Sequence, residues 1–172
     1  MVQLQIKLGT KKLGAGQFGS VVMAVYDPKD GIGIPHEVAV KTLKLDDSTP
    51  SDMQDQLFRE AVISFQFQHP NVVACIGVIS IGSPSAMIMQ YCGKGCLEDV
   101  LRNEIKPSVD RNGFQEEDSL QFCQYAIDIA CGMEHVHEKF FVHRDLAVRN
   151  VLVNSANRCK ISVSTEFHNM RV

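Results

Sequence analysis

Three closely spaced glycines, Gly14, Gly16 and Gly19, constrain the fold of this chain more than any other feature. A G-x-G-x-x-G pattern marks a dinucleotide-binding fold only where a helix begins directly after it. Here residues 21–26 follow, Val-Val-Met-Ala-Val-Tyr, a run that favours a strand. The glycines are therefore predicted to lie in a hairpin, where the backbone can approach phosphates without Cβ atoms in the way. A glycine-rich hairpin that binds no ligand is the alternative.

The first half of the chain has the pattern of a sheet with one helix. Residues 4–8 alternate between apolar and polar side chains, which predicts a strand with one buried face. Further strands are predicted at 37–43, 72–80 and 86–91. A helix is predicted to begin at Ser51, and its apolar face would consist of Leu57, Phe58, Ala61, Val62 and Phe65.

The second half is predicted to be mainly helical. A short helix at 97–101 and a long helix at 119–138 are separated by residues 103–117, whose Asn, Pro, Asp and Gly content is typical of a surface loop. A turn at 154–158 and a short strand at 159–162 follow. The long helix carries an apolar stripe that is interpreted as core packing and consists of Leu120, Ala126, Ile127, Ala130 and Met133.

The segment 141–153 places several polar side chains between an apolar pair and an apolar strand. Within it, Asp145 and Asn150 are five residues apart, close enough for both side chains to face one phosphate–metal centre. Asp145 could accept a proton from a hydroxyl nucleophile, and Asn150 could offer an amide oxygen to Mg²⁺. Arg149 could stabilise Asp145 or contact an acceptor. A solvated polar loop is the alternative interpretation.

Four stretches of the chain resemble protein kinases. Residues 143–150, His-Arg-Asp-Leu-Ala-Val-Arg-Asn, resemble the kinase catalytic loop, and the Arg before the Asn is similar to the tyrosine-kinase form. The glycine hairpin, including Val21 after it, resembles the kinase glycine-rich loop. Residues 38–41, Val-Ala-Val-Lys, resemble the strand whose Lys contacts the phosphates. Residues 58–61 are similar to kinase helix C, whose Glu clamps that Lys, and this pairs Glu60 with Lys41.

The resemblance implies an α+β, protein-kinase-like fold. Such a fold has an antiparallel five-stranded N-lobe with helix C, followed here by an incomplete, mainly helical C-lobe. On this basis residues 1–172 form a partial kinase domain. The N-lobe would occupy 1–91, the hinge 92–97 and the truncated C-lobe 98–172.

The activity that the resemblance implies is ATP-dependent phosphoryl transfer to a protein tyrosine. Asp145 would be the catalytic base, with Arg149 beside it. Lys41, held by Glu60, would contact the phosphates, and Asn150 would bind Mg²⁺.

Nucleotide contacts are implied in the same way. Met89 would be a bulky gatekeeper, and backbone groups of Gln90 and Cys92 would bond adenine. The implied ATP-binding residues are Leu13, Gly14, Gly16, Gly19, Val21, Ala39, Lys41, Met89, Gln90, Cys92 and Leu152.

Three positions depart from the kinase pattern. Val163 stands where the family has the Asp of Asp-Phe-Gly, and valine has no oxygen with which to bind a hard cation. Ser164 replaces the Phe of that motif, and Ser64 stands where kinases place a large apolar residue. A shifted substitute at 166–168 would be displaced by ~10 Å, because it lies three extended residues further along the chain. Mg²⁺ binding is therefore expected to be weakened.

The similarity to kinases stops after Ser162, and the sequence ends at Val172. The activation loop and later helices of the C-lobe are expected to be missing, which would leave apolar surface on the helix 119–138 open to a protein partner. Three hypotheses follow. The chain is a tyrosine kinase domain with impaired or lost activity, or a nucleotide-binding pseudokinase or partner-binding module, or a truncated isoform or gene-model fragment without a function of its own.

Composition narrows the class of function. A net charge of -3 and a pI near 6.0 give no case for nucleic-acid binding. No apolar run approaches the ~20 residues that a membrane-spanning helix needs. The six cysteines form no C-x-x-C pair, which predicts reduced thiols. An intracellular, cytoplasmic location is expected, either for the chain itself or as the cytoplasmic part of a receptor.

Overall fold

The computed structural model describes residues 5–16, 19–28, 33–43, 51–80, 85–103, 116–163 and 168–169. The chain forms two units. The first consists of Met1–Phe65 and Ala74–Tyr91, and the second of Gln66–Val73 and Cys92–Val172. The short segment Gln66–Val73 therefore belongs to the second unit, although the chain on both sides of it belongs to the first.

The first unit contains an antiparallel sheet of five strands in the order β1-β2-β3-β5-β4. Helix α1 (Ser51–Ser64) packs against this sheet. The predicted five-stranded sheet with one helix is confirmed. The strands are β1 (Gln5–Gly16), β2 (Gly19–Asp27), β3 (His36–Leu43), β4 (Cys75–Ile79) and β5 (Ala86–Gln90).

Strand β4 begins later than the predicted residue 72, and the reason is a competing partner. Val72 forms a parallel bridge with Ile161, and the N–H of Val73 donates to the Ile161 carbonyl over 2.9 Å. The backbone of Val72 and Val73 is therefore paired within the second unit and is not available to extend β4.

Helix α1 buries a different stripe from the predicted one. Leu57 and Ala61 pack with Leu43 and Met87 in the core between helix and sheet. Phe58 is half-buried, whereas Val62 and Phe65 are exposed, so the prediction that they face the core is wrong. At about 100° per residue, the positions that share the face of Leu57 and Ala61 are those of two polar residues, Glu60 and Ser64, and both are buried.

The second unit combines two helices with short strands. Strands β6 (Gly95–Cys96), β8 (Val151–Val153) and β9 (Cys159–Ile161) form one antiparallel sheet, and β7 (Phe141–Val142) pairs with β10 (His168–Asn169). The helices are α2 (Leu97–Asn103) and α3 (Glu116–Glu138). Their shared core consists of Leu97, Val100, Tyr125, Val151, Val153 and Cys159.

The helical predictions for this unit agree with the structure except at the loop between the helices. Helix α3 begins at Glu116, three residues before the predicted Ser119, and residues 104–115 of the predicted loop lie outside the described residues. None of the helices in the described ranges has both the length and the apolar character that a bilayer span requires.

The apolar stripe of α3 lies on the outside of the unit. Leu120 is 65% exposed and Ile127 is 56% exposed, and Ala126 and Ala130 are exposed with them, so the interpretation of this stripe as core packing is wrong for these four residues. Met133, the last residue of the stripe, is half-buried. Helix α3 is apolar on two faces, and the opposite face packs on strand β9. The buried residues of that inner face are Tyr125, Asp128, Gly132 and Val136.

Candidate active site

Lys41 and Glu60 form an ion pair inside the first unit. Lys41 projects from β3, and its Nζ lies 2.6 Å from both carboxylate oxygens of Glu60 on α1. The Glu60 side chain is 7% exposed and that of Lys41 is 29% exposed. The predicted contact between these two residues is therefore present. Burial of Glu60 on the inner stripe of α1 aims its carboxylate at the sheet, where it holds the lysine ammonium in one position.

Ser64 is buried one turn after Glu60. Its hydroxyl donates to the Glu60 carbonyl over 2.7 Å. This bond satisfies the hydroxyl within its own helix, as buried serines in helices commonly do. Ser64 therefore contributes no apolar side chain to this part of the core, as expected from its sequence.

The glycine hairpin joins β1 and β2 as predicted. Gly14 is opposite Val21, and Gly16 is opposite Gly19. A Cβ atom at Gly19 would lie 2.0 Å from the Thr42 carbonyl oxygen. Close packing against β3 is therefore a sufficient reason for glycine at this position. Residues 17 and 18, at the tip, lie outside the described residues.

Gly14, on the first strand of the hairpin, is not required by packing. A Cβ atom at Gly14 would meet no atom within 4 Å. Leu13, beside it, is 37% exposed. Open space at Gly14 is compatible with close approach of a ligand, whereas the glycine at position 19 is explained by the fold itself.

The predicted adenine-binding residues of the first unit lie on neighbouring strands. Ala39 of β3 is opposite Met89 of β5, and Val38 is opposite Gln90. The backbone N–H of Gln90 donates to the Ala74 carbonyl over 2.9 Å. A ligand could therefore bond Gln90 through its carbonyl, and not through its N–H.

Two other predicted nucleotide contacts belong to the second unit. Cys92 is buried, and its carbonyl accepts a hydrogen bond from the N–H of Gly95 over 3.2 Å. Leu152 is half-buried in β8, between Cys96 and Lys160 of the neighbouring strands.

Asp145, Arg149 and Asn150 are close together in the second unit. Arg149 Nη2 donates to Asp145 Oδ1 over 2.6 Å, and Asn150 Nδ2 donates to Asp145 Oδ2 over 2.7 Å. A short 3₁₀ helix, Val148–Asn150, turns the chain back so that both side chains reach the same carboxylate. Of the two roles considered for Arg149, contact with Asp145 is the one seen here.

The amide of Asn150 is oriented by these contacts. Its nitrogen also donates to the Asp145 carbonyl over 2.8 Å, so the amide oxygen is the group that remains for a cation. The carbonyl of Asn150 accepts from the N–H of Ser162 over 2.9 Å, which ties the loop to the end of β9.

Val163 stands at the position where the family resemblance implies a second metal ligand. It lies two residues after β9 and is 6% exposed. Its side chain offers no oxygen, so position 163 adds no carboxylate to the Asn150 oxygen as a ligand for Mg²⁺. Residues 164–167, including Ser164 and most of the shifted alternative at 166–168, lie outside the described residues.

A buried carboxylate, Asp128, was not singled out from the sequence. It is 0% exposed on the inner face of α3 and accepts hydrogen bonds from Arg158 Nη2 at 2.6 Å and from the Cys159 N–H at 2.8 Å. Gln124 also donates to it, over 2.9 Å. Burial raises the pKa of Asp128, but these hydrogen bonds outweigh burial and hold the pKa below its usual value. Its place between Tyr125 and Gly132 on one helical face was the available signal.

The cysteines are free thiols. Burial raises the pKa of Cys75 and of Cys92 to about 11, and that of Cys159 to about 12. Since the thiolate is the reactive form and a raised pKa keeps these three thiols protonated near neutral pH, they are poor candidates for nucleophiles.

The family is established by comparison with known proteins. A sequence model of the family described as "Protein tyrosine and serine/threonine kinase" matches residues 6–165. The chain belongs to this protein kinase family.

Sequence matches to individual proteins are consistent with this family assignment. The chain is 38% identical over 162 residues to the putative molluscan insulin-related peptide(s) receptor of Lymnaea stagnalis, covering 91% of this chain and 10% of the relative. It is 34% identical over 157 residues to the spermatocyte protein spe-8 of Caenorhabditis briggsae, covering 88% and 27%. The Caenorhabditis elegans spe-8 protein is 36% identical over 153 residues, covering 88% and 28%. The chain thus spans only a minor part of each of these relatives.

Proposed function

We propose that this chain binds ATP as a kinase domain does but transfers the phosphoryl group to protein tyrosine weakly or not at all. The observation that carries the proposal is the Lys41–Glu60 ion pair, with both oxygens of a buried carboxylate at 2.6 Å from the ammonium. An ammonium fixed in this way is preorganised to contact phosphates. The lysine is still partly exposed, so part of its charge is open to a ligand.

The glycine hairpin supports the nucleotide-binding half of the proposal. Gly14 has open space where a side chain would be. Leu13 beside it and Val21 opposite it would cover the base, with Ala39 and Met89 on the neighbouring strands. Adenine would bond the Gln90 carbonyl, because the N–H of that residue is already bonded. The family resemblance implies further contacts with ATP. They would be made by Gly16, Gly19, Cys92 and Leu152.

Val163 supports the second part of the proposal, that phosphoryl transfer is weak or absent. In the second unit, Arg149 and Asn150 both donate to the Asp145 carboxylate, which supports Asp145 as the base and Asn150 as the residue whose amide oxygen would bind Mg²⁺. When bound, the cation would neutralise charge on the phosphates. Loss of one preorganised electrostatic element costs about 10²–10³ in rate, and Val163 removes such an element. The proposed tyrosine preference rests on Arg149 and its place in the catalytic loop.

A partner-binding module is the second candidate function. It is favoured by the exposed apolar stripe of α3, in which Leu120 and Ile127 are more than half exposed. This function needs no phosphoryl transfer and is compatible with nucleotide binding.

The ATP-binding proposal predicts a specific pattern of thermal melts of the purified chain. ATP at a hundredfold excess over its dissociation constant should stabilise the folded chain by about 2.7 kcal/mol, and Mg²⁺ should change this shift little. Lys41→Met should weaken ATP binding tenfold or more, since a hydrogen bond to a charged group contributes about 1.5–3 kcal/mol. The matched control is Lys7→Met on exposed strand β1, which should leave the shift unchanged.

Two outcomes would contradict this proposal. An ATP shift that is equal in the Lys41 and Lys7 variants would mean that ATP binds elsewhere. If the chain unfolds cooperatively but ATP does not raise its melting temperature, ATP binding is contradicted and only the partner-binding hypothesis remains. If the purified chain forms phosphotyrosine at a rate typical of kinases, only the proposed weakness of phosphoryl transfer is contradicted.

A further inference from the structure

Two histidines of the second unit stack on one another. The rings of His69 and His135 have their centroids 4.9 Å apart and are inclined by 16°. His69 lies in the segment Gln66–Val73, and His135 lies in the last turn of α3. Phe67 packs edge-on against His135, with ring centroids 6.2 Å apart. The pair therefore lies where this segment rests on α3.

The hydrogen bonds show which protonation state this arrangement requires. The N–H of Asn71 donates to His69 Nδ1 over 3.1 Å, so that nitrogen carries no proton and the His69 ring is neutral. His135 Nε2 is buried and has no hydrogen-bond partner among the described residues. Protonation of His135 would leave a buried Nε2–H without an acceptor among the described residues and would place a cation against the His69 ring.

The charged groups around the pair add to this preference. Burial is the main cause that lowers the pKa of His135, and His69 and Lys139 lower it further, while Glu138 opposes them. From strand β9, the ammonium of Lys160 bonds the carbonyl of Pro70, next to His69. Of the charged groups that act on His135, Glu138 alone favours the protonated ring.

The segment that carries His69 is also bonded to the strand that supports the catalytic loop. Asn71 Nδ2 donates to the Cys159 carbonyl over 3.0 Å, and the N–H of Ile161 donates to the Asn71 carbonyl over 2.8 Å. Strand β9 in turn leads to Ser162, whose N–H bonds the carbonyl of Asn150. A Cβ atom on Gly132 would be 2.6 Å from the Asn71 carbonyl oxygen, which shows how closely the segment lies on α3.

We propose that the stacked rings of His69 and His135 form an acid-sensitive clasp, in which protonation of His135 separates the two rings and weakens the contact of Gln66–Val73 with α3. The clasp is closed at neutral pH, when the His135 imidazole is uncharged. It opens only at a pH below about 6.5, the ordinary midpoint for histidine, because the folded chain disfavours the charged His135 ring. Opening loosens the support of β9 and hence of the loop that ends at Asn150.

The sign of the pH dependence follows from linkage. Because the pKa of His135 is lowered in the folded state, the unfolded chain binds more protons below about pH 6.5, and stability falls as pH falls. Each extra proton bound by the unfolded chain changes the unfolding equilibrium constant by up to about tenfold per pH unit. Burial also lowers the pKa of His143, but that contribution is common to every variant at the pair.

Urea unfolding of the full chain between pH 7.5 and 5.5 tests the clasp. In the His135→Phe variant, which keeps a ring but cannot titrate, the unfolding constant should rise less on acidification than in the wild type. The difference should reach up to about fivefold between pH 6.5 and 5.5, because an unfolded histidine is already half protonated at pH 6.5. The His137→Phe variant, at an exposed histidine in the same turn, should behave as the wild type. Equal pH slopes for wild type and His135→Phe would overturn the proposal.

A titration of the histidine rings by NMR tests the same proposal in the folded wild type. The His135 signal should titrate below the ordinary histidine range, and the His69→Phe variant should shift its midpoint upward, because His69 is one of the groups that lower the pKa of His135. The Asn71 amide signal should move with the His135 titration, because opening of the clasp displaces the His69 ring that this amide bonds. A His135 midpoint at or above about 6.5 in the wild type would overturn the clasp.

Discussion

Replacing Val163 with Asp is expected to restore Mg²⁺-dependent behaviour to this chain. Position 163 now offers no oxygen ligand in addition to the Asn150 amide oxygen, and the new carboxylate would supply one. In the presence of Mg²⁺, the ATP affinity of Val163→Asp should rise about tenfold, which corresponds to ~1.4 kcal/mol. Phosphoryl transfer to a tyrosine peptide should increase by about 10² or more over the wild type. Thermal melts with ATP and increasing Mg²⁺, together with a phosphotyrosine assay, measure both effects.

The matched control is Val163→Asn, which has nearly the shape of Asp but no charge. Because position 163 is only 6% exposed, a carboxylate there should lower the melting temperature in the absence of Mg²⁺. That loss should be recovered when ATP and Mg²⁺ are added to the Asp variant, but not to the Asn variant. A folded Asp variant whose ATP shift is indifferent to Mg²⁺ would show that position 163 does not face the metal.

Asp128→Ala is expected to destabilise the chain by about 2–3 kcal/mol, because the buried N–H of Cys159 loses its acceptor. The loss also removes the anchor of Arg158, whose Nε lies 2.9 Å from Asp128 Oδ2. Urea unfolding at pH 7 measures the change. The pH dependence has a definite sign, since a carboxylate with a lowered pKa stabilises the fold above its ordinary pKa of 3.8 and loses this effect as pH falls through its folded value.

The matched control for Asp128 is an exposed ion pair of the same chemical type. Glu98 and Arg102 lie 2.6 Å apart on α2 at i and i+4. Such pairs contribute about 0.3–0.5 kcal/mol, so Glu98→Ala should cost no more than this. Equal losses for Asp128→Ala and Glu98→Ala would mean that burial of Asp128 has no energetic consequence.

Features with a local cause could be predicted from the sequence. The glycine hairpin follows from three glycines before a β-branched run, and the structure pairs Gly14 with Val21 across it. The proximity of Asp145 to Asn150 follows from their separation by five residues in a turn. The Lys41–Glu60 contact came from the family resemblance, because 19 residues separate the two side chains and periodicity alone does not join them.

Features that depend on long-range packing could not be predicted. Helix α3 has two apolar faces, and its sequence does not say which one the rest of the unit covers. The same ambiguity placed Val62 and Phe65 of α1 in the predicted core. Asp128 and Arg158 are 30 residues apart, and their pairing depends on how α3 meets the turn before β9.

The sequence by itself determined the family, the order of strands and helices, and the missing oxygen at Val163, because these depend on residue identity and on short spacings. Only the tertiary structure decided which helix faces are buried and that Gln66–Val73 belongs to the second unit. It also brought His69 and His135 into contact. The physical reason is that burial and the protonation of buried groups depend on neighbours distant in sequence. Those neighbours cannot be identified from a local sequence pattern.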